Sequence, residues 1–149
     1  MKIKLAVSDE RILELTEALI RGGFELDDAA DLVILERDRY LSHLAVRNAD
    51  GERVHLAVED IVFLESFGHT VTVHCLDETF QTSDRLYQLA LMLDPKRFLR
   101  ISNSVIIQRS QVKRIQPSLS MKFILLMADG SRVDVTRSYY NGFKEFFGI

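Results

Sequence analysis

The stretch that decides the fold class is Val58-Glu59-Asp60-Ile61-Val62-Phe63-Leu64-Glu65-Ser66-Phe67-Gly68-His69-Thr70-Val71-Thr72-Val73-His74-Cys75. Residues 60–66 and 70–75 are rich in β-branched and aromatic side chains and predict two strands, joined through Phe67-Gly68-His69. Neighbours on an alternating strand point to opposite faces. Cys75 therefore shares a face with Val71 and Val73 and reads as core, turned away from His74. Glu59-Asp60 at the strand start reads as a solvated turn.

The same pattern continues on both sides. Upstream, residues 42–47 and 53–58 flank Asn48-Ala49-Asp50-Gly51, and Asp-Gly is a strong hairpin signal. Downstream, residues 79–82 are extended. Ser83 is the expected N-cap of a helix carrying Leu86, Leu89, Ala90 and Leu93, closed by Asp94-Pro95. Residues 105–108, 112–116 and 122–127 are apolar β-type runs, and Asp129-Gly130 turns the chain into a strand at 132–136. A short helix with Tyr139, Tyr140, Phe143, Phe146 and Phe147 follows.

The first residues read differently. A strand at 3–7 leads to Ser8 as N-cap, with Asp9 and Glu10 in the first turn where the helix dipole favours acids. Ile12, Leu15, Leu19 and Ile20 recur at helical spacing until Gly22-Gly23, and residues 32–35 form a second strand. The expectation is a small β-α-β segment over 1–45, followed by a mainly β (α+β) domain of antiparallel sheets with two short helices over 46–149. So small a head cannot cover its own apolar face (Ile12, Leu15, Leu19), which marks it as a dimerisation or partner-binding element.

Of 149 residues, 47% are hydrophobic, enough for one good core, and with 28% charged and 2 prolines extensive disorder is excluded. The single cysteine precludes an internal disulfide. No run approaches the roughly 18 apolar residues of a membrane span, and the apolar start is too short for a signal peptide. The location these features predict is cytoplasmic.

A net charge of −3 argues, taken alone, against nucleic acid. The charge is unevenly spread, however. Residues 1–45 carry 6 basic and 10 acidic side chains. Residues 96–122 hold Lys96, Arg97, Arg100, Arg109, Lys113, Arg114 and Lys122 with no acid. Phosphate binding follows local potential, so this block is open to two readings, a solvated basic face or a phosphate-binding surface.

The sequence has no Gly-rich phosphate loop, no nucleophile elbow and no zinc spacing among His43, His55, His69 and His74. Nothing calls for an enzyme, a metal, a cofactor or a small-molecule substrate. The polar connections are more informative: His69 after Gly68, Ser102-Asn103-Ser104 inside the basic block, and Thr136-Arg137-Ser138 between the last strand and last helix. Each is also explicable as a simple turn or cap. Chemically, Arg suits a guanine edge, Asn an adenine edge, and His or Ser a base edge or a phosphate.

In order along the chain, five motifs resemble the LytTR DNA-binding domain. They are Val58-Glu59-Asp60-Ile61-Val62-Phe63-Leu64-Glu65-Ser66, the turn Phe80-Gln81-Thr82-Ser83-Asp84-Arg85-Leu86, and the central Phe98-Leu99-Arg100-Ile101-Ser102-Asn103-Ser104-Val105-Ile106-Ile107. Val112-Lys113-Arg114-Ile115 and the closing Val133-Asp134-Val135-Thr136-Arg137-Ser138-Tyr139 complete the set. The resemblance covers about residues 50–149. The departures are Ser102 where the family often has His, Ile107-Gln108 for its Val-Asn, and Thr136 for its Ser.

The resemblance implies a bacterial transcription regulator whose loops, rather than a recognition helix, enter successive major grooves of double-stranded DNA. Carried over by position, His69, Asn103 and Arg137 are the DNA-contacting residues. Ser102 and Ser104 support that contact or bind phosphate, and Lys113 and Lys122 are further phosphate candidates. A receiver domain of roughly 120 residues does not fit ahead of residue 45, so the likeness is to the stand-alone regulators of this class. These imply a homodimer on paired sites and a small membrane protein that restrains it. The alternative is a protein-binding signalling adaptor acting through the acidic head.

Overall fold

The computed structural model describes residues 1–36 and 39–149, in two compact units, Met1–Leu41 and Ser42–Ile149. The division lies ahead of the expected 45/46 boundary because His43–Arg47 already pairs within the second unit.

In the first unit, strand β1 (Lys2–Ala6) is central to a parallel three-stranded sheet, flanked by β2 (Glu25–Leu26) and β3 (Leu32–Leu35). Helix α1 (Asp9–Arg21) is the crossover. Its stop is backbone chemistry. Gly23 sits at φ +85, a conformation that favours glycine, while the Gly22 amide donates to the Ala18 carbonyl. Ser8 occupies the N-cap position, but its hydroxyl does not cap the helix. Both its backbone amide (2.8 Å) and its hydroxyl (2.7 Å) donate to Glu36 Oε1. Helix α1 buries none of its residues, and Leu13 and Ile20 are exposed.

The second unit begins with the hairpin of β4 (His43–Arg47) and β5 (Arg53–Ala57). Its turn is held by Asn48 Oδ1, which accepts the amides of Asp50 and Glu52, with Gly51 at φ +78. The chain then makes a single 3-10 turn at Val58–Asp60 before β6 (Phe63–Phe67). A strand from residue 60 is thus corrected: the Gln108 side-chain amide gathers the carbonyls of Val58, Glu59 and Ile61 and holds the bend.

Strands β7 (Thr70–His74) and β8 (Thr79–Thr82) follow, then α2 (Leu86–Met92). The helix starts later than a Ser83 cap would place it. Residues 82–84 are bound to one another through Thr82 Oγ1 and the Asp84 amide, and Gln88 accepts the Arg85 amide at the helix entrance. A further short strand, β9 (Phe98–Arg100), pairs with β10 (Val105–Gln108). Strands β11 (Val112–Ser118), β12 (Lys122–Met127) and β13 (Arg132–Val135) and the terminal helix α3 (Tyr140–Phe147) complete the unit.

Two antiparallel sheets result, one of order β5-β4-β8-β7-β6-β10-β9 and one of order β11-β12-β13. Val105 and Ile107 of β10 join Phe123, Leu125, Met127, Val133, Val135 and Phe143 in one buried cluster. Ile106 is opposite Leu64 in the register, and alternation turns both to the other face, toward α2. Among the described residues no helix is long and apolar enough to cross a membrane.

Phe143 is fully buried and packs at a tilt against Phe123 and Phe147, with ring centroids 5.0 and 4.7 Å away. Phe143→Ala is expected to cost about 3–5 kcal/mol in urea unfolding, because the small sheet and α3 meet through this ring. In the first unit, the Ser8 donors and the nearby Arg39 charge hold the Glu36 carboxyl below its ordinary value. A depressed folded value means the contribution is present above the unfolded carboxylate value and lost as pH falls through the folded one. Once the intrinsic exchange rates are divided out, the protection of the amides at the start of α1 is therefore expected to fall between neutral pH and about pH 3, with a smaller change in Glu36→Gln.

Candidate nucleic-acid interface

Three polar connections of the second unit are tied together by hydrogen bonds. The first is the two-residue turn Gly68-His69 between β6 and β7, where Phe67 pairs with Thr70. Gly68 sits at φ +59, and a positive φ at the first central position is the requirement of a type II′ hairpin turn. The turn exposes His69 to solvent, near the exposed ring of Phe67. The second connection is residues 101–104, between β9 and β10. The third is the 3-10 turn Arg137–Tyr139 after β13.

Their ties are specific. The Ser66 amide at the end of β6 donates to the Ser104 carbonyl at 2.8 Å. The Thr136 amide donates to the Ile101 carbonyl at 3.0 Å. The Tyr139 hydroxyl donates to Asn103 Oδ1 at 3.1 Å. Arg100 binds the central connection, donating from Nε to the Ser102 carbonyl (3.1 Å) and from Nη2 to the Asn103 carbonyl (2.7 Å). The Asn103 side chain is exposed, and its amide nitrogen carries no bond to another described residue.

The expected residues thus divide by position. His69, Asn103 and Arg137 are exposed on connections joined by these bonds. Among the described residues neither His69 nor Arg137 has an ion-pair or side-chain hydrogen-bond partner. Ser102 is only 7% exposed, and its hydroxyl accepts the Ser104 amide, so its position is that of a support for the turn. Ser104 is half-buried.

The two lysines separate. Lys122 opens β12 one register step before the Phe123–Val135 pair, at the end of the small sheet where Thr136 and Arg137 leave β13. Lys113 lies at the bulge opposite Leu126 and Met127, the other end of the sheet, roughly 15 Å away along the strand.

The run of seven cations does not form one phosphate-binding face. Arg97 donates to Gln108 Oε1 at 2.9 Å, Arg100 is committed to the loop carbonyls, and the Arg109 guanidinium lies 5.3 Å from the ring centres of both Phe146 and Phe147. Arg100 and Tyr139 are the positioning residues that sequence reasoning missed. Neither spacing nor composition reveals a partner 36 positions away. Phe67, two residues before His69, belongs to the end of β6 rather than to the connection, and its ring is exposed.

The Cys75 thiol is pushed up to about 11, first by burial and then by Asp60 and Glu78, and is protonated at neutral pH. His74 stacks on Phe63 with ring centroids 4.0 Å apart and faces Glu65, within the sheet rather than on the connections. Among the described residues no group of His, Cys, Asp and Glu is placed to hold a metal ion.

Comparison with known proteins follows the same outline. Residues 51–148 match the model of the LytTr DNA-binding domain. The sensory transduction protein LytT of Bacillus subtilis is 26% identical over 120 residues, covering 80% of this chain and 50% of that protein. LytT of Bacillus cereus is 34% identical over 92 residues, 62% of this chain and 37% of that protein. The transcriptional regulatory protein LytR of Staphylococcus aureus is 24% identical over 99 residues, 66% and 40%. The chain therefore spans half or less of the length of these relatives. A solved LytTr DNA-binding domain, from a protein described as a methyl-accepting/DNA response regulator of Bacillus cereus, aligns with a TM-score of 0.69 at 25% identity. It covers 73% of this chain and 99% of that one.

Removing the tyrosine hydroxyl isolates the tie to Asn103. Tyr139→Phe is expected to lower stability by no more than about 1 kcal/mol while the Asn103 side-chain amide gains mobility in NMR relaxation. An unchanged amide would show that the bond does not orient Asn103.

Proposed function

Because the chain belongs to the LytTR DNA-binding domain family, we propose that it is a transcription regulator that reads double-stranded DNA through its loops, in successive major grooves. The observation that carries this is the hydrogen-bonded assembly of the three connections, which holds three exposed, chemically suited side chains at fixed relative positions. In this reading Arg137 addresses a guanine edge and Asn103 an adenine edge. His69 meets a base edge or phosphate, and Phe67 offers an apolar contact for a thymine methyl. Lys122 contacts phosphate. Ser102 and Ser104 hold the Asn103 turn, and Lys113 contributes only to a distant backbone position. The activity involves no catalytic step, and the relevant compartment is the cytoplasm.

The first unit is proposed to dimerise the protein on paired sites. Its helix leaves Leu13 and Ile20 uncovered, and its parallel sheet ends in two short edge strands. A small membrane protein that restrains the regulator would use the same unit. This exposed helix also supports the second reading, a signalling adaptor that binds protein through the head.

Binding to DNA from upstream of its own operon, titrated at several salt concentrations, separates the two readings. The affinity is expected to fall steeply as salt rises. Asn103→Ala and Arg137→Ala are each expected to cost about 1–3 kcal/mol on the specific site and little on random duplex. Equal losses on both DNAs would assign these side chains to phosphate, and no binding at low salt would favour the adaptor.

A further inference from the structure

The β11–β12 hairpin ends in Leu119-Ser120-Met121, outside the three polar connections. Leu119 is 88% exposed and Met121 43%. A single exposed apolar residue needs no explanation. Here two flank one serine, on a turn where Ser120 (φ 65) and Met121 (φ 56) both adopt the left-handed conformation without being glycine. Left-handed backbone at residues other than glycine tends to collect at functional sites. The approach is stiff as well. Pro117 is the last but one residue of β11, an edge strand that tolerates its missing amide.

The register gives the tip its place. Ser118 pairs with Lys122 and Phe123 with Val135, so the tip extends from the end of the sheet at which Thr136 and Arg137 leave β13. Strands β11 and β13 are two steps apart, about 10 Å. The tip is thus continuous with the candidate interface through Lys122, at a distance comparable with the width of a DNA groove.

We propose that Leu119 and Met121 form an apolar wedge that enters the minor groove of the bound duplex and opens a base step, bending the DNA. This rests on the DNA-binding reading above. Leucine and methionine are among the side chains used for such insertion, which kinks a duplex by roughly 20–90°. Lys122 beside the wedge would hold the neighbouring phosphate. The wedge adds preference for flexible pyrimidine–purine steps without any base-edge hydrogen bond.

The test compares the intact chain with Leu119→Ser/Met121→Ser and with Leu119→Phe, on the same specific duplex, measuring affinity and bend angle by end-to-end fluorescence transfer. The serine variant is expected to lose at least half of the bend and about tenfold in specific affinity, with binding to random duplex unchanged. The phenylalanine variant, which keeps a wedge, is expected to retain the bend. Circular dichroism and thermal melting of the free proteins establish that both variants fold. A bend that survives the serine substitutions, or is lost with phenylalanine, overturns the wedge and leaves the DNA reading standing. Failure of the wild-type chain to bind duplex at low salt overturns both. Binding to anionic lipid vesicles that disappears in the serine variant, with the bend unaltered, would assign the tip to a membrane surface instead.

Discussion

Strand β10 is buried along its whole length, and the arrangement of the second unit depends on that burial. Val105 and Ile107 face the small sheet and α3, Ile106 faces the other side, and the strand is hydrogen-bonded to β6 and β9 along its two edges. Four consecutive buried residues leave this strand no freedom to slip, since a one-residue shift would exchange its two packed faces. The turn that precedes it inherits the constraint. Ile101 is buried at the base of the turn, Ser104 is bonded to β6, and only Asn103 is turned outward. A rigid core strand thereby sets the position of an exposed side chain.

Gln108 shows how a polar residue is accommodated in this strand. It is 1% exposed, yet its amide donates to three carbonyls and its oxygen accepts from Arg97. A buried amide with its bonds made rigidifies its surroundings, whereas one left unpaired would cost the desolvation of each group. The same bonds explain the bend at Val58–Asp60 and remove Arg97 from the pool of free cations. Interior hydrogen bonding, not solvent, therefore decides the fate of part of the basic block. Local charge counted along the chain overstated the phosphate-binding surface, because it ignored what the tertiary partners consume.

Period-two alternation and turn residues were sufficient for most strands. Residues 79–82, 105–108 and 122–127 are strands as expected, and Asp129-Gly130 turns the chain with Gly130 at φ +88. Three of the differences share one cause. Strand β9 is three residues long and exists only because β10 offers its edge. The turn at Val58–Asp60 exists because Gln108, far along the chain, binds its carbonyls. Ser8 carries the right side chain for a cap but spends it on Glu36. In each case a distant partner overrode a correct local preference.

The sequence by itself determined the strand-rich second unit and the β-α-β head, because turn chemistry and side-chain periodicity are local properties, and its five motifs in order carried the family resemblance. Only the tertiary structure decided which polar residues are presented and which are held inside. Ser102 and Asn103 are neighbours of similar character, but one is buried as a support and the other exposed. Lys113 and Lys122 belong to one basic run, but antiparallel pairing carries them to opposite ends of a sheet. Adjacency along the chain does not specify direction in space. That is set by register and by hydrogen bonds between residues far apart in sequence, which no local pattern encodes.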